Sequence, residues 1–134
     1  LAYGTVAGYE EPGRSVDAMT SFRGLYKLAA QRGNQSPYEL PKRWEERKDK
    51  LDLSVPFNFV CTNDIIGGNS GSPIFNKNGE IVGIVFDGNI HSLIWDFQFD
   101  MKRARAVGVH SRSIIEALEK VYDAGPLAAE IMGK

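Results

Sequence analysis

The segment from residue 56 to residue 88 restricts the fold more than any other part of the sequence. It contains three short apolar runs, FNFVC, SPIF and IVGIVF, which are separated by a glycine-rich stretch and by the turn sequence NKNGE. Such runs are typical of strands, and the neighbours Asn78 and Gly79 favour a tight hairpin. The segment therefore predicts an antiparallel sheet, with IVGIVF buried on both faces as in a barrel wall or a sandwich core.

The spacing of apolar residues and capping signals predicts the remaining elements. In chain order these are a strand over residues 1–9, a helix over 17–32, a helix after Pro41, strands over 92–99 and 105–110, a helix opened by a capping box of Ser113 and Glu116, and a short helix over 127–132. The predicted fold class is mainly β with flanking helices. Its parts are a strand plus helical segment over 1–54, an antiparallel β core with the glycine-rich stretch over 55–110 and C-terminal helices over 111–134.

Composition excludes several classes of function. The chain has 134 residues, enough for one hydrophobic core, and its 16 Lys plus Arg against 17 Asp plus Glu give a net charge of −1. Because nucleic acid and anionic lipid are bound by basic surfaces, neither is an expected partner. No apolar run is long enough to span a membrane. The lone Cys61 with His91 and His110 cannot supply an ordinary zinc site, so no metal or cofactor is expected.

The glycine-rich stretch GGNSGSP over residues 67–73 has the composition of a catalytic serine loop. A serine becomes a nucleophile when a base accepts its proton and N–H donors stabilise the oxyanion. We expect Ser70 to be the nucleophile and the backbone N–H groups of Gly68 and Ser70 to form the oxyanion hole. Removing one such donor can cost ~100 to 1000-fold in rate.

The order of residues favours one class of serine enzyme. The nucleophile elbow of α/β hydrolases reads GxSxG and precedes a helix, whereas here Ser72 holds the fifth position and a hairpin follows. Chymotrypsin-like enzymes place the histidine before the serine, and no histidine precedes Ser70. We therefore expect a base encoded upstream of Leu1, in a longer protein. His91 and His110 are interpreted as surface or capping residues.

The run CTNDIIGGNSGSPIFNKNGEIVGIVFDGN resembles the active-site segment of the bacterial dipeptidyl peptidases of the seven and eleven types, whose signature is close to TNDITGGNSGSP. The stretches YGTVAGY and HSRSIIEALEKVYDA resemble other parts of the carboxyl-terminal portion of that family. The resemblance implies the second β-barrel half of a chymotrypsin-like double barrel with a C-terminal helix. It also implies that residues 1–134 are the C-terminal part of a peptidase domain.

The resemblance assigns roles to individual residues. Ser70 would be acylated, with Gly68 beside it in the oxyanion hole. Asp87 would bind the free α-amine of the substrate, and Asn89 would be a further substrate-binding residue. Gly88 matches the family position that varies with specificity for the second substrate residue, P1. Members with arginine at this position prefer acidic P1 residues, and members with glycine prefer apolar ones. Apolar P1 preference is therefore expected, and Gly88→Arg is expected to shift it toward Asp or Glu.

The implied function is the release of dipeptides from the free N-terminus of peptides, without a cofactor, by a periplasmic or cell-surface enzyme. Expected partners are peptide substrates, the remainder of the peptidase chain and a second copy in a homodimer. The triad His and Asp and a large helical insertion of the family have no counterpart here. His110 stands where family members mostly have Asp. The chain alone is therefore expected to be inactive.

Two alternatives remain open. A glutamyl endopeptidase of the staphylococcal type also has GGNSGSP, but it reads the substrate carboxylate with a histidine where this sequence has Val85. A peptide with a blocked amine distinguishes the two, since only an endopeptidase would cut it. The other alternative is a non-catalytic β-barrel binding module, in which Ser70 would not react with a fluorophosphonate.

Overall fold

The computed structural model describes residues 1–95, 97–98 and 100–134. The strands in this part are β1 Tyr9–Glu11, β2 Arg14–Val16, β3 Met19–Ser21, β4 Pro56–Cys61, β5 Pro73–Phe75, β6 Ile81–Gly88 and β7 Ala106–His110. The α-helices are α1 Phe22–Gln31, α2 Lys42–Arg47, α3 Ser111–Glu116 and α4 Gly125–Ile131. Lys48–Lys50 and Ile90–Ile94 are 3₁₀ turns, and Ala117–Val121 is a π-helical turn.

The described strands form two antiparallel sheets. β1 pairs with β2 in a hairpin, and the other five are ordered β3-β4-β7-β6-β5. The mainly β class with helices is confirmed. Within the described residues the larger sheet is open, with β3 and β5 at its edges, so closure into a barrel stays a prediction.

The N-terminal predictions are only partly correct. The strand expected over residues 1–9 is wrong for most of its length. Before β1 begins at Tyr9, only residues 5–7 pair with the end of β4, through the bridge of Val6 to Cys61 and the backbone hydrogen bonds that flank it. The helix expected from residue 17 begins at Phe22 instead. Ser21 is its N-cap and accepts a 3.4 Å hydrogen bond from the backbone N–H of Gly24, while Met19–Ser21 pairs with β4.

Two strand predictions after residue 80 also need correction. The run IVGIVF in β6 is not buried on both faces, since its first and last residues, Ile81 and Phe86, are 57% and 60% exposed. The strand expected over residues 92–99 is wrong at its start, where Ile90–Ile94 forms a 3₁₀ turn capped by Asn89. Phe99 lies outside the described residues.

The capping box expected from Ser113 and Glu116 is wrong. His110 is the N-cap of α3, and its Nδ1 accepts a 3.1 Å hydrogen bond from the backbone N–H of Arg112. The Ser113 hydroxyl instead donates to the carbonyls of Phe57 and His110, and Glu116 accepts from the backbone N–H of Asp52. The residues of the expected capping box thus connect α3 to the chain around β4.

Two apolar clusters stabilise the chain. The helical core contains the fully buried Phe22 and Val121, together with Tyr26, Leu51 and Val55. The sheet core contains Phe59, Cys61 and Ala106. No helix of the described residues is both long and apolar enough to cross a membrane.

Phe59 packs where two glycines leave room for its ring. A Cβ atom at Gly108 would lie 2.7 Å from Phe59 Cζ, and one at Gly83 would lie 2.8 Å from Phe59 Cε1. Both distances are shorter than real Cβ contacts, so larger residues would displace the ring. These glycines leave the space in which Phe59 packs against β6 and β7, and β6 is the strand to which the serine loop is hydrogen-bonded.

Candidate active site

The serine loop, residues 67–72, lies in the connection from β4 to β5, and two backbone–backbone hydrogen bonds among the described residues fix it to β6. The backbone N–H of Gly71 donates to the Val85 carbonyl at 2.7 Å, and the N–H of Val85 donates to the Ser72 carbonyl at 2.8 Å. Asn69 also closes the loop on itself, because its Oδ1 accepts from the N–H of Ile66 at 2.9 Å. The loop is therefore a defined turn attached to the strand that carries Asp87 and Gly88.

Ser70 lies at the exposed surface of this loop. Its hydroxyl donates a 3.0 Å hydrogen bond to the backbone carbonyl of Phe86. Phe86 is the extra residue of a β-bulge, since Val85 pairs with Gly108 and Asp87 pairs with Val107. Bulges commonly redirect groups next to active sites, and here the bulge turns a carbonyl toward the serine hydroxyl.

The backbone around Ser70 has unpaired donors. Gly68 has φ +97° and Gly71 has φ +88°, conformations that side chains rarely adopt. Considering the described residues alone, the N–H groups of Gly68 and Ser70 donate to no protein atom, although those of Asn69 and Ser72 are bonded within the loop. These are the two donors expected for an oxyanion hole, and both are available to a ligand.

Asp87 and Gly88 follow directly after the carbonyl that Ser70 contacts. Asp87 is exposed, and its Oδ1 accepts a 2.7 Å hydrogen bond from the N–H of Gly88. The structure therefore brings Ser70, Asp87 and Gly88 to one end of the sheet. The second carboxylate oxygen of Asp87 has no hydrogen bond to the described residues, so it can receive a cationic group.

Asn89 has a different environment, because both the nitrogen and the oxygen of its side-chain amide form hydrogen bonds with the backbone. Its Nδ2 donates to the Arg103 carbonyl at 2.7 Å, and its Oδ1 accepts from the N–H groups of Ser92 and Arg105. These contacts cap the 3₁₀ turn and join it to the chain before β7. They favour a positioning role for Asn89 over direct contact with substrate.

Neither histidine contacts Ser70. His91 Nε2 lies 2.6 Å from Glu11 Oε1, and this hydrogen bond lowers the pKa of the Glu11 carboxyl. His110 caps α3, as its interpretation as a capping residue predicted, and burial lowers its pKa, with a further contribution from Arg112. Both rings are thus used in contacts away from the serine loop.

Cys61 does not compete as a nucleophile. It is buried in the sheet core, and burial raises the pKa of its thiol, which keeps the thiol protonated. The described part of the chain contains no group of three His, Cys, Asp or Glu side chains suited to a metal ion.

Comparison with known proteins identifies the family. A family model described as peptidase S46 matches residues 1–133. The chain belongs to the peptidase S46 family.

Proteins similar to this chain include two named peptidases. The chain is 31% identical to dipeptidyl-peptidase 7 of Capnocytophaga gingivalis, covering 89% of this chain and 18% of that protein. It is 36% identical to an Asp/Glu-specific dipeptidyl-peptidase of Shewanella putrefaciens, covering 92% and 17% respectively. The chain therefore spans less than a fifth of the length of these relatives.

A crystal structure of Porphyromonas endodontalis DPP11 with the dipeptide Arg-Glu has the same fold as this chain. The TM-score is 0.85 at 24% identity, and the match covers 98% of this chain and 20% of that structure. The mainly β arrangement with flanking helices is thus the fold of a segment of an S46 peptidase.

Reasoning from the sequence missed two structural residues of this site. Phe86 contributes its carbonyl through a bulge that nothing in the apolar run IVGIVF indicates. Arg105 is buried, and its guanidinium donates to the carbonyls of Ala7, Gly8, Met101 and Ala104. Arg105 thereby fixes the N-terminal segment against the chain next to β6, which only the tertiary structure reveals.

Proposed function

We propose that this chain is the C-terminal, serine-bearing part of the catalytic domain of a dipeptidyl peptidase. One observation carries the proposal. The exposed Ser70 lies between two glycines of positive φ, beside the unpaired N–H groups of Gly68 and Ser70 itself. An accessible hydroxyl next to free backbone donors is the arrangement that acyl transfer requires.

In the proposed reaction, the Ser70 hydroxyl leaves the Phe86 carbonyl and gives its proton to a histidine base supplied by sequence outside this chain, which an aspartate orients. Ser70 Oγ then bonds to the carbonyl carbon of the second substrate residue. The N–H groups of Gly68 and Ser70 stabilise the oxyanion. The base returns the proton to the leaving amine, and water hydrolyses the dipeptidyl ester.

Asp87 is proposed to bind the α-amine of the substrate. Its free carboxylate oxygen lies one residue from the carbonyl that Ser70 contacts. A cationic amine held by a fixed carboxylate determines which peptide bond reaches the serine, because charge-assisted hydrogen bonds restrict position. This explains how the enzyme would count two residues from the N-terminus.

We propose an apolar preference at P1, with Gly88 in the pocket wall. The two named relatives differ here, since one is a dipeptidyl-peptidase 7 and the other is named Asp/Glu-specific. Gly88 has no side chain, and the buried cation next to β7, Arg105, already donates to backbone carbonyls. Neither Gly88 nor Arg105 thus offers a free cation to an acidic side chain, whereas an apolar side chain needs none.

The proposal extends to partners and location. Large apolar side chains remain exposed at this end of the sheet, among them Ile66, Phe86, Ile90 and Leu93. Such patches mark interaction surfaces, and the remainder of the peptidase is the proposed partner. A homodimer and a periplasmic or cell-surface location are proposed from family resemblance.

The test uses the complete peptidase and two matched peptides, one with a free and one with an acetylated N-terminus. We expect dipeptide release from the free peptide only, and Asp87→Asn should remove this preference while Ser70 still reacts. Equal cleavage of both peptides would favour the glutamyl-endopeptidase alternative. Absence of cleavage would favour a non-catalytic binding module. A panel that varies P1 from Leu and Phe to Asp and Glu then tests the apolar preference.

A further inference from the structure

The space in front of Gly88 is occupied by another residue. A Cβ atom at position 88 would lie 1.9 Å from Ser92 Oγ and 2.9 Å from Ser92 Cβ. Real Cβ atoms essentially never approach another heavy atom within 3.0 Å. The direction in which a side chain at position 88 would extend is therefore filled by Ser92.

Ser92 cannot move aside without losing contacts. Its hydroxyl donates to the Asn89 carbonyl at 2.7 Å, and its backbone N–H donates to the same carbonyl at 2.9 Å. Asn89 is in turn fixed to the chain at Arg103 and Arg105. Rotating the hydroxyl would relieve only the closer overlap, because the Ser92 Cβ belongs to the backbone frame of the 3₁₀ turn.

We propose that Ser92 is a specificity-determining residue that acts as one unit with Gly88. This inference rests on the proposed function, in which Gly88 borders the P1 pocket. The pocket in front of Gly88 is then limited by the Ser92 side chain, and a residue larger than glycine at position 88 requires a smaller residue at position 92. Gly88→Arg alone is then insufficient to create acidic specificity, which revises the expectation from the sequence that this single change shifts the P1 preference.

A double-mutant cycle in the complete peptidase tests this coupling. We expect Gly88→Ala to lower kcat/KM for a substrate with Leu at P1 by about tenfold or more, because overpacking at this site must displace the 3₁₀ turn. In the Ser92→Gly background, Gly88→Ala should lower the same kcat/KM by less than about threefold. Ser92→Ala, which keeps Cβ, should rescue only in part.

Ser113→Ala is the matched control. Like Ser92, Ser113 donates its hydroxyl to the carbonyl three residues earlier, that of His110, at 2.7 Å, but it lies on α3. It should give no rescue of Gly88→Ala. Rescue by Ser113→Ala, or additive effects of the changes at 88 and 92, would overturn the proposal.

Selectivity provides a readout that a purely structural role would not change. We expect Gly88→Arg/Ser92→Gly to raise the ratio of kcat/KM for Glu over Leu at P1 at least about thirtyfold above Gly88→Arg alone, as the cation enters the pocket. The same ratio in both variants would overturn the proposal.

Melting temperatures keep the test independent of activity. If Gly88→Ala fails to fold, recovery of folding by Ser92→Gly supports the coupling, and no recovery contradicts it. If the unmodified peptidase releases no dipeptide and Ser70 does not label, the proposed function fails and with it the assignment to specificity. The melting temperatures of the four proteins in the cycle would still test whether Gly88 and Ser92 pack against each other.

Discussion

The helical core and the serine-loop end of the sheet differ in how the chain fixes them. In the helical core, Phe22 and Val121 are fully buried, and Arg43 and Arg47 of α2 both contact Asp123 after the π-helical turn. At the serine loop, polar backbone groups are unpaired and apolar side chains such as Phe86 are exposed. Buried packing and unpaired polar groups are thus concentrated in different regions.

This division explains why the loop keeps features that weaken a fold. Positive φ, free N–H donors and exposed apolar residues contribute little to stability, yet they suit the substrate-binding surface and the interface with the remainder of the peptidase that we propose. The comparison predicts that changes at the loop affect reactivity and changes in the two cores affect unfolding.

The largest expected effect is that of Ser70→Ala on turnover. If Ser70 is the nucleophile, kcat in the complete peptidase should fall by roughly a million-fold, the scale seen when a catalytic serine is removed. The melting temperature should change little, because Ser70 is exposed and makes one side-chain hydrogen bond. Ser72→Ala, two positions away in the same loop, is the control and should retain turnover. A comparable loss of kcat in both variants would contradict the assignment of Ser70 as the nucleophile of this loop.

Phe22→Ala should have the largest effect on unfolding. Phe22 is fully buried and contacts the rings of Trp44 and Phe57, with centroids 5.6 and 5.4 Å away. We expect a loss of about 3–5 kcal/mol in the free energy of unfolding, measured by urea titration of the chain. Leu127→Ala is the control, since Leu127 is 47% exposed and should cost far less. Equal losses would show that the helical core is not the source of stability.

Gly108→Ala tests the sheet core. The added methyl group would lie 2.7 Å from Phe59 Cζ and 2.9 Å from Ile74 Cδ1, so the buried ring must shift. The expected cost is about 1–3 kcal/mol. Gly125→Ala provides a control in α4, where nothing lies within 4 Å of the new atom, and it should be neutral or stabilising. A destabilisation of the same size at both positions would argue against the close packing of Phe59.

The smallest expected effect is a pH dependence from His110. Burial holds its pKa below the ordinary value of 6.5, so the unfolded chain binds the proton at a higher pH than the folded chain does. The neutral His110 side chain therefore contributes fully to stability above pH 6.5, and this contribution decreases as the pH falls below that value. His110→Asn keeps a capping acceptor and should flatten this decrease in urea titrations between neutral and mildly acid pH. An unchanged pH dependence in His110→Asn would show that His110 is not the source of this decrease in stability.

The sequence predicted the elements whose signals are local. The hairpin at Asn78 and Gly79 formed, as did the short strand SPIF and the helix after Pro41, because turn residues and apolar spacing act over a few positions. The resemblance of the segment around GGNSGSP also identified the family. These features do not depend on distant parts of the chain.

The remaining features depend on tertiary contacts. The bulge at Phe86 and the packing of Ser92 against Gly88 involve partners that no spacing rule connects. Residues 1–9 have the pattern of a strand, but among the described residues only 5–7 pair with β4 before β1 begins. How much of such a segment pairs depends on the position of its partner strand, which a sequence pattern does not encode.

Fluorophosphonate labelling of the complete peptidase, with the modified residue located by peptide mapping, tests the central claim most directly. We predict one label per chain on Ser70 and its loss in Ser70→Ala. A protein that remains unlabelled, or a label that persists in Ser70→Ala, would contradict the assignment of Ser70 as the nucleophile.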